Sequence, residues 1–422
     1  MTVTLHAAPL VLPICAEPVD DGAVAVDGDR VVAVGPAAEL AERYPGCPVR
    51  SYPGVLTPGL VNAHAHLEYG PSFADLASSG LPFVKWINTL VGRRDAMTAD
   101  GWLADARGSV RAALAAGTTA VADVITIGPG IAAAAEVGLG GISYVETVGV
   151  DDARWPAERD RLAAALAAAP PGRALGLSPH TLYTLDSAVF AAILAMARER
   201  GLRLHTHLAE SADESEFVLA GTGSIAATLR TIGVLHDLLE VGADRSPTAQ
   251  LRALGGLGGD LHVAHGVHVD AADRRLLRDA GTPVALCVRS NRILAAGVPP
   301  VAAYLAEGNP VAIGTDSLAS SPSLDVLAEA SALYDVARAQ DAPVDGLARR
   351  LIEAATVGGA MAMGLDDAGV LRPGGRADLA AFDVPVDSDP YAALIGHGAG
   401  RCVATVLGGR AVHGPTVLGG SV

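Results

Sequence analysis

Three observations predict an α/β chain built as a (β/α)8 TIM barrel, with a small β-sandwich domain formed from the N- and C-terminal segments. The 422 residues exceed a typical domain of roughly 100 to 200, whereas one barrel absorbs about 250 or more. Between about Val55 and Gly364, eight short apolar runs alternate with amphipathic or Ala-rich stretches. On either side of that region the texture changes to short strands and turns.

The first segment, residues 1–58, carries Gly22 to Gly28 and Arg30 to Gly35, two strand-like runs separated by a Gly-Asp turn. The barrel is expected over 59–364. Its strand candidates are Val55 to His64, Thr118 to Ile125, Gly141 to Val148, Ala174 to Ser178, Leu202 to Leu208, Leu261 to Gly266, Pro283 to Val288 and Pro310 to Thr315. Strands buried on both faces need not alternate apolar with polar residues, and these do not. The clearest helices between them are Asp100 to Ala116, Pro156 to Ala169, Ser187 to Arg200, Ala271 to Ala280 and Val326 to Ala339. An insertion at Gly221 to Gly259 is longer than one barrel helix needs, and the pattern assigns it no structure. Residues 365–422 return to strand texture in Arg376 to Asp383 and Val403 to Gly409. Chain ends often lie close together, so both are expected in one sheet domain. The competing architecture is an open doubly wound sheet, but no Gly-x-Gly-x-x-Gly follows the first strand.

Composition narrows the function classes. Half the residues are apolar and 18% are charged, which suits a large core and argues against disorder. A net charge of −16 repels phosphate backbones and anionic membranes, so no nucleic acid or membrane partner is expected. The only lysine, Lys85, stands in Phe83-Val84-Lys85-Trp86, a context unlike a Schiff-base lysine or a phosphate loop. Cys15, Cys47, Cys287 and Cys402 are far apart and cannot form a cysteine zinc cluster. The sequence has no signal-like start and no long apolar run, so a cytoplasmic protein is expected. Base rates favour a homodimer.

The chemistry concentrates at strand ends. His64-Ala65-His66 closes the first candidate strand, and residues two apart in an extended segment face the same side. Alone, such a pair is more often a solvated surface pair or a buried pair with its hydrogen bonds met. His205-Thr206-His207 is followed by Glu210, the sixth strand ends in His262, His265 and His268, and the eighth in Thr315-Asp316. Eight of twelve histidines thus lie near C-terminal strand ends, where barrel enzymes place their chemistry. Imidazoles with carboxylates and no thiolate suit Zn2+ or Fe2+ better than Mg2+ or Ca2+.

Pro58-Gly59-Leu60-Val61-Asn62-Ala63-His64-Ala65-His66, His207-x-x-Glu210, His265, Gly314-Thr315-Asp316 and Gly369 to Leu379 together resemble the amidohydrolase superfamily, in its cytosine/guanine deaminase and chlorohydrolase branch. The resemblance covers nearly the whole chain. It implies one divalent metal, Zn2+ with Fe2+ as the alternative, held by His64, His66, His207 and Asp316. Binuclear relatives use a carboxylated lysine, and the lone Lys85 points instead to a mononuclear site. The implied reaction is hydrolytic deamination: metal-activated hydroxide attacks a ring carbon and ammonia leaves. Asp316 would take the water proton, Glu210 would shuttle protons to the ring and the amine, and His265 would stabilise the added oxygen.

The metal motif leaves the substrate open. Ser178-Pro179-His180 resembles a substrate-contacting segment of nucleoside deaminases, which makes His180 a candidate base or ribose contact. Glu68 and Trp86 are further candidates, each with a structural role as the alternative. Leu175 to Thr181, Arg289-Ser290-Asn291 and Gly314 to Ser320 are similar to bacterial aminodeoxyfutalosine deaminases, enzymes of menaquinone biosynthesis. That substrate carries a benzoate, for which Arg289 is the first candidate cation and Arg93 or Arg94 the next. The sequence departs from many relatives at Val288, where they have proline. Adenosine, methylthioadenosine or S-adenosylhomocysteine deaminases, guanine or cytosine deaminases and triazine chlorohydrolases are the competing enzyme classes. A non-catalytic barrel scaffold is the competing class outside enzymes.

Overall fold

The computed structural model describes residues 3–81, 83–386 and 389–414. The N-terminal strands are β1 (Val3–Val11), β2 (Val19–Asp27), β3 (Arg30–Pro36), β4 (Val49–Ser51) and β5 (Val55–Pro58). The barrel strands follow as β6 (Leu60–Ala65), β7 (Thr118–Ile125), β8 (Gly140–Thr147), β9 (Ala174–Pro179), β10 (Leu204–Leu208), β11 (Leu261–His265), β12 (Val284–Leu286) and β13 (Val311–Ile313). The C-terminal segment adds β14 (Leu379–Phe382), β15 (Cys402–Leu407) and β16 (Arg410–His413).

The two ends of the chain build one sheet in the order β16-β15-β14-β5-β1-β2-β3, with β4 beside β1. Alternation along β2 divides its faces: Ala23 and Ala25 pack with Leu5 and Leu40, while Val24 and Val26 join the cluster of Leu56, Leu379 and Val406. That second cluster spans both flanks of the sheet. The segment before β14 ties them together, the Val31 N–H donating to the Gly375 carbonyl at 2.9 Å.

All eight expected barrel strands are present, in sequential parallel order from β6 to β13. One boundary is corrected. The run expected as a single strand from Val55 to His64 divides at Gly59: Val55–Pro58 pairs with β14, and Leu60–Ala65 opens the barrel beside β7. A Cβ at Gly59 would lie 2.0 Å from the Thr119 hydroxyl, so this crossing requires glycine. Between β13 and β6 a side chain completes the ring. The Asn62 amide donates to Thr315 Oγ1 at 2.7 Å and its carbonyl accepts the Thr315 N–H at 3.1 Å, while the Asp316 N–H reaches the His64 carbonyl at 3.0 Å.

The expected helices form, with starts set by side-chain caps. Asp270 makes a capping box with Asp273 before Ala271–Asp279, and Asp325 caps Val326–Ala339. The 221–259 insertion folds into helices Gly223–Ile232 and Pro247–Ala253. The largest apolar cluster lies between the barrel strands and their helices and includes Phe190, Ile193, Leu204, Leu286 and Leu333. Among the described residues no helix is long and apolar enough to cross a membrane.

Candidate metal centre and active site

Strands β6, β10 and β13 bring His64, His66, His207 and Asp316 to one end of the barrel. A ring nitrogen from each of His64, His66 and His207 lies within 4.8 Å of the others, as do a ring nitrogen from each of His64 and His265 and a carboxylate oxygen of Asp316. His64 Nε2 and His66 Nε2 stand 3.7 and 3.9 Å from Asp316 Oδ1, and His66 Nε2 is 3.3 Å from His207 Nε2. Burial, reinforced by the neighbouring histidines, holds His64 well below the usual imidazole range. Burial likewise pushes His66 down to about 3 and His207 down to about 4. These rings are therefore neutral, and each has a nitrogen lone pair to offer.

Their outer nitrogens and oxygens are already oriented. His207 Nδ1 donates to the His180 carbonyl at 3.2 Å, which leaves Nε2 as its lone-pair atom. His64 Nδ1 lies 3.1 Å from His205 Nε2, and His205 Nδ1 is 3.2 Å from Ser178 Oγ. His64 Nε2 is fully buried with no hydrogen-bond partner among the described residues. A buried orphan lone pair is costly, and a cation shared with His66, His207 and Asp316 would satisfy it. Asp316 Oδ2 accepts from Ser290 Oγ at 2.7 Å, and Oδ1 accepts the Ser317 N–H at 2.7 Å. Three imidazoles and one carboxylate suit zinc or ferrous iron.

Glu210 and His265 stand beside this cluster, with 3.7 Å between Glu210 Oε1 and His265 Nε2. Asn291 Nδ2 donates to His265 Nδ1 at 3.0 Å, so the ring carries its proton on Nε2, toward the cluster. Burial, with the Asp316 charge nearby, pushes Glu210 up to about 8. Two ends of strands are bent to aim these groups: His265 has φ 74° and Asp316 φ 62°, left-handed values uncommon for residues other than glycine. The Asp316 N–H bond to the His64 carbonyl and the Gly266 N–H bond to the Leu208 carbonyl hold those bends.

The expected substrate contacts divide. His180 lines the site, its ring centroid 4.8 Å from that of His207 and its Nδ1 3.0 Å from Thr184 Oγ1. Glu68 is corrected from substrate contact to loop anchor. It is buried, and its carboxylate accepts the N–H groups of Thr126, Ile127 and Gly128, which fasten the turn after β7. Trp86 presents no open stacking face. It is buried with Tyr69, Phe73 and Trp102, and its indole donates to the Ala319 carbonyl at 3.1 Å. That cluster reaches the site through Tyr69, 5.9 Å from the His66 ring.

Arg289 is corrected as well. Its guanidinium is bound to buried Glu329 at 2.6 Å, to Ser323 Oγ at 3.0 Å and to the Ser323 carbonyl at 2.8 Å, so its donors are already committed within the protein. Arg93 is paired with Asp75. Arg94 is partly exposed and pairs with Asp95 at 3.2 Å.

Sequence reasoning missed Asn62, Glu146, His205, Ser290 and Asn291 as parts of the site. Ser290 and Asn291 lay inside a motif noted in the sequence, and His205 inside a His-x-His pair, but which atoms they would touch follows only from the barrel closing around them.

Known proteins share this architecture. The amidohydrolase family matches residues 55–412, and a bacterial imidazolonepropionase-like composite domain matches residues 22–46 within the terminal sheet. The chain is 34% identical to the 5-methylthioadenosine/S-adenosylhomocysteine deaminase of Halobacterium salinarum, covering 87% of this chain and 81% of that protein. It is 31% identical to the aminodeoxyfutalosine deaminase of Deinococcus radiodurans, covering 73% and 74%. Among solved structures, a zinc-bound adenosine deaminase from Xanthomonas campestris superposes with a TM-score of 0.80 at 25% identity, covering 97% of this chain and 93% of that one. With the family matched across most of its length, the chain belongs to the amidohydrolase family.

Proposed function

We propose that the chain is a metal-dependent hydrolase that deaminates the adenine ring of a nucleoside carrying a 5′ substituent. The observation that carries this reading is the convergence of His64, His66, His207 and Asp316 beside a Glu210–His265 pair, all at one end of the barrel. His64, His66, His207 and Asp316 would hold one divalent metal, with zinc favoured and ferrous iron the alternative. Bound there, the metal supplies a Lewis acid that brings the pKa of water down to about 7. Asp316 accepts a proton from the attacking water, its carboxylate kept in place by Ser290 and the Ser317 N–H. Glu210, whose carboxyl burial pushes up to about 8, donates its proton to the ring nitrogen next to the attacked carbon; its carboxylate then takes the hydroxyl proton of the added oxygen and hands it to the departing amine, and the proton held by Asp316 restores Glu210. His265 Nε2 donates to the oxygen added at that carbon, and Asn291 keeps the ring in the required tautomer.

Several relatives 30% or more identical to this chain are 5-methylthioadenosine/S-adenosylhomocysteine deaminases, which supports a thioether nucleoside as substrate. The commitment of Arg289 to Glu329 removes the first candidate cation for a benzoate. The 31% identity to an aminodeoxyfutalosine deaminase favours a second reading, with that nucleoside as substrate. The test is ammonia release by zinc-loaded protein from methylthioadenosine, S-adenosylhomocysteine, aminodeoxyfutalosine, adenosine, guanine and cytosine. A kcat/KM above about 10⁴ M⁻¹s⁻¹ for a thioether nucleoside supports the first reading, and preference for aminodeoxyfutalosine supports the second. Turnover of the free bases alone, or of none of the six, overturns both.

A further inference from the structure

We infer that Glu146 recognises the sugar: its carboxylate accepts hydroxyl hydrogens from the ribose of the bound nucleoside. This inference rests on the deaminase reading above and extends it to the part of the substrate that does not react.

Glu146 lies near the C-terminal end of β8, and Arg161 Nη2 pins its backbone carbonyl at 2.7 Å. The side chain is 3% exposed. One carboxylate oxygen and one ring nitrogen from each of His180 and His207 all lie within 4.8 Å of one another, so Glu146 borders the same space as these two histidines. Its orientation is fixed, because Thr126 Oγ1 donates to Oε2 at 2.8 Å. Oε1 has no hydrogen-bond partner among the described residues. The N–H on His207 Nδ1 is 3.9 Å away and already serves the His180 carbonyl.

Burial pushes the Glu146 carboxyl up to about 8, and donors to its oxygens from outside the protein favour the carboxylate and satisfy the orphan Oε1. The chemistry of an adenine nucleoside limits where that donor sits. The ring offers N1, N3 and N7, which are all acceptors. Its exocyclic amine is the one ring N–H donor, and the reaction requires that amine beside Glu210, His265 and Asp316. A carboxylate next to His180 is therefore matched by the 2′ and 3′ hydroxyls of the sugar, which are donors. A site built to hydrogen-bond a substrate hydroxyl discriminates strongly against the analogue that lacks it.

The alternative is that Glu146 acts only on His207, steadying the ring as a charge partner. The two roles separate on a ratio: kcat/KM for the best nucleoside substrate of the set above over that for its 2′,3′-dideoxy analogue, measured on the zinc-loaded protein and on Glu146→Ala and Glu146→Gln, with metal content determined for each. The expected result is a wild-type ratio of about tenfold or more that falls toward one in Glu146→Ala, through loss on the riboside, with zinc content retained. Glu146→Gln keeps the size of the side chain and gives an intermediate ratio, which provides the comparison if the alanine variant does not fold. A wild-type ratio near one overturns the inference. So does a ratio that survives in both variants while turnover of both substrates, or zinc content, falls in parallel. Absence of deamination of every nucleoside in that set by wild type would instead bring down the deaminase reading, and this inference with it.

Discussion

Replacing His205 with alanine would test whether the layer behind the metal ligands is built for the metal. His205 is fully buried, its ring parallel to that of His64 with centroids 4.9 Å apart, and it links His64 Nδ1 at 3.1 Å to Ser178 Oγ at 3.2 Å. When His64 Nε2 holds a cation, Nδ1 must carry the proton, and His205 Nε2 is its acceptor. Removing that acceptor leaves a buried N–H unsatisfied and frees the His64 ring to turn. Outer-layer losses of this kind weaken metal binding about 10- to 100-fold, equivalent to about 1.4 to 2.8 kcal/mol. The same substitution opens a cavity, so the metal-free protein should also lose on the order of 2 to 5 kcal/mol of stability. Competition against a chromophoric chelator gives the zinc affinity, and urea unfolding of the metal-free protein gives the stability. If the metal-free protein is destabilised while zinc affinity stays within about twofold, then the His64–His205–Ser178 chain is ordinary core packing and the reasoning fails.

Three further outcomes follow from the same geometry. Glu210→Gln keeps the metal ligands and removes the proton carrier, so kcat should fall by about 10² to 10⁴ with zinc content unchanged; retention of most of the activity would remove Glu210 from the proposed reaction. Arg289→Ala leaves Glu329 buried without its cation and should cost roughly 3 to 5 kcal/mol in denaturant unfolding, with substrate preference unaltered. A loss confined to a carboxylate-bearing substrate at unchanged stability would return Arg289 to the pocket. In the terminal sheet, burial and then the Arg50 charge hold His6 down to about 4 from 6.5. A base with a lowered folded pKa contributes no penalty above 6.5, and its stability is lost as the pH falls toward 4. At 1.36 kcal/mol per unit, wild type should lose about 3 kcal/mol more than His6→Gln between pH 7 and pH 4, read from paired urea titrations. Equal acid sensitivity of the two proteins would show that His6 is not titrating in this way.

The fold was legible because the barrel strands are buried on both faces and read as apolar runs, each with a helix signal after it. Where Val55 to His64 ran as one apolar stretch, hydrophobicity could not show that the chain changes sheets. That change depends on Gly59 passing against Thr119, a tertiary contact. The four metal-ligand candidates were legible because they cluster at the ends of three strands, β6, β10 and β13. Glu68 and Arg289 misled for one reason. A charged residue near a strand end has the same sequence signature whether it faces a ligand or satisfies buried backbone, and here Glu68 holds three N–H groups and Arg289 holds Glu329. Glu146 and His205 gave no distinct signal, since their importance lies in which atoms β8 and β10 set beside His207 and His64.

The central claim, one metal per chain driving nucleoside deamination, is tested most directly by titrating metal-free protein with zinc while following ammonia release. The account predicts activity that rises from near zero and saturates at one equivalent, and a His207→Ala variant that neither retains zinc nor gains activity. Full activity without metal, or saturation only at two equivalents, would contradict it.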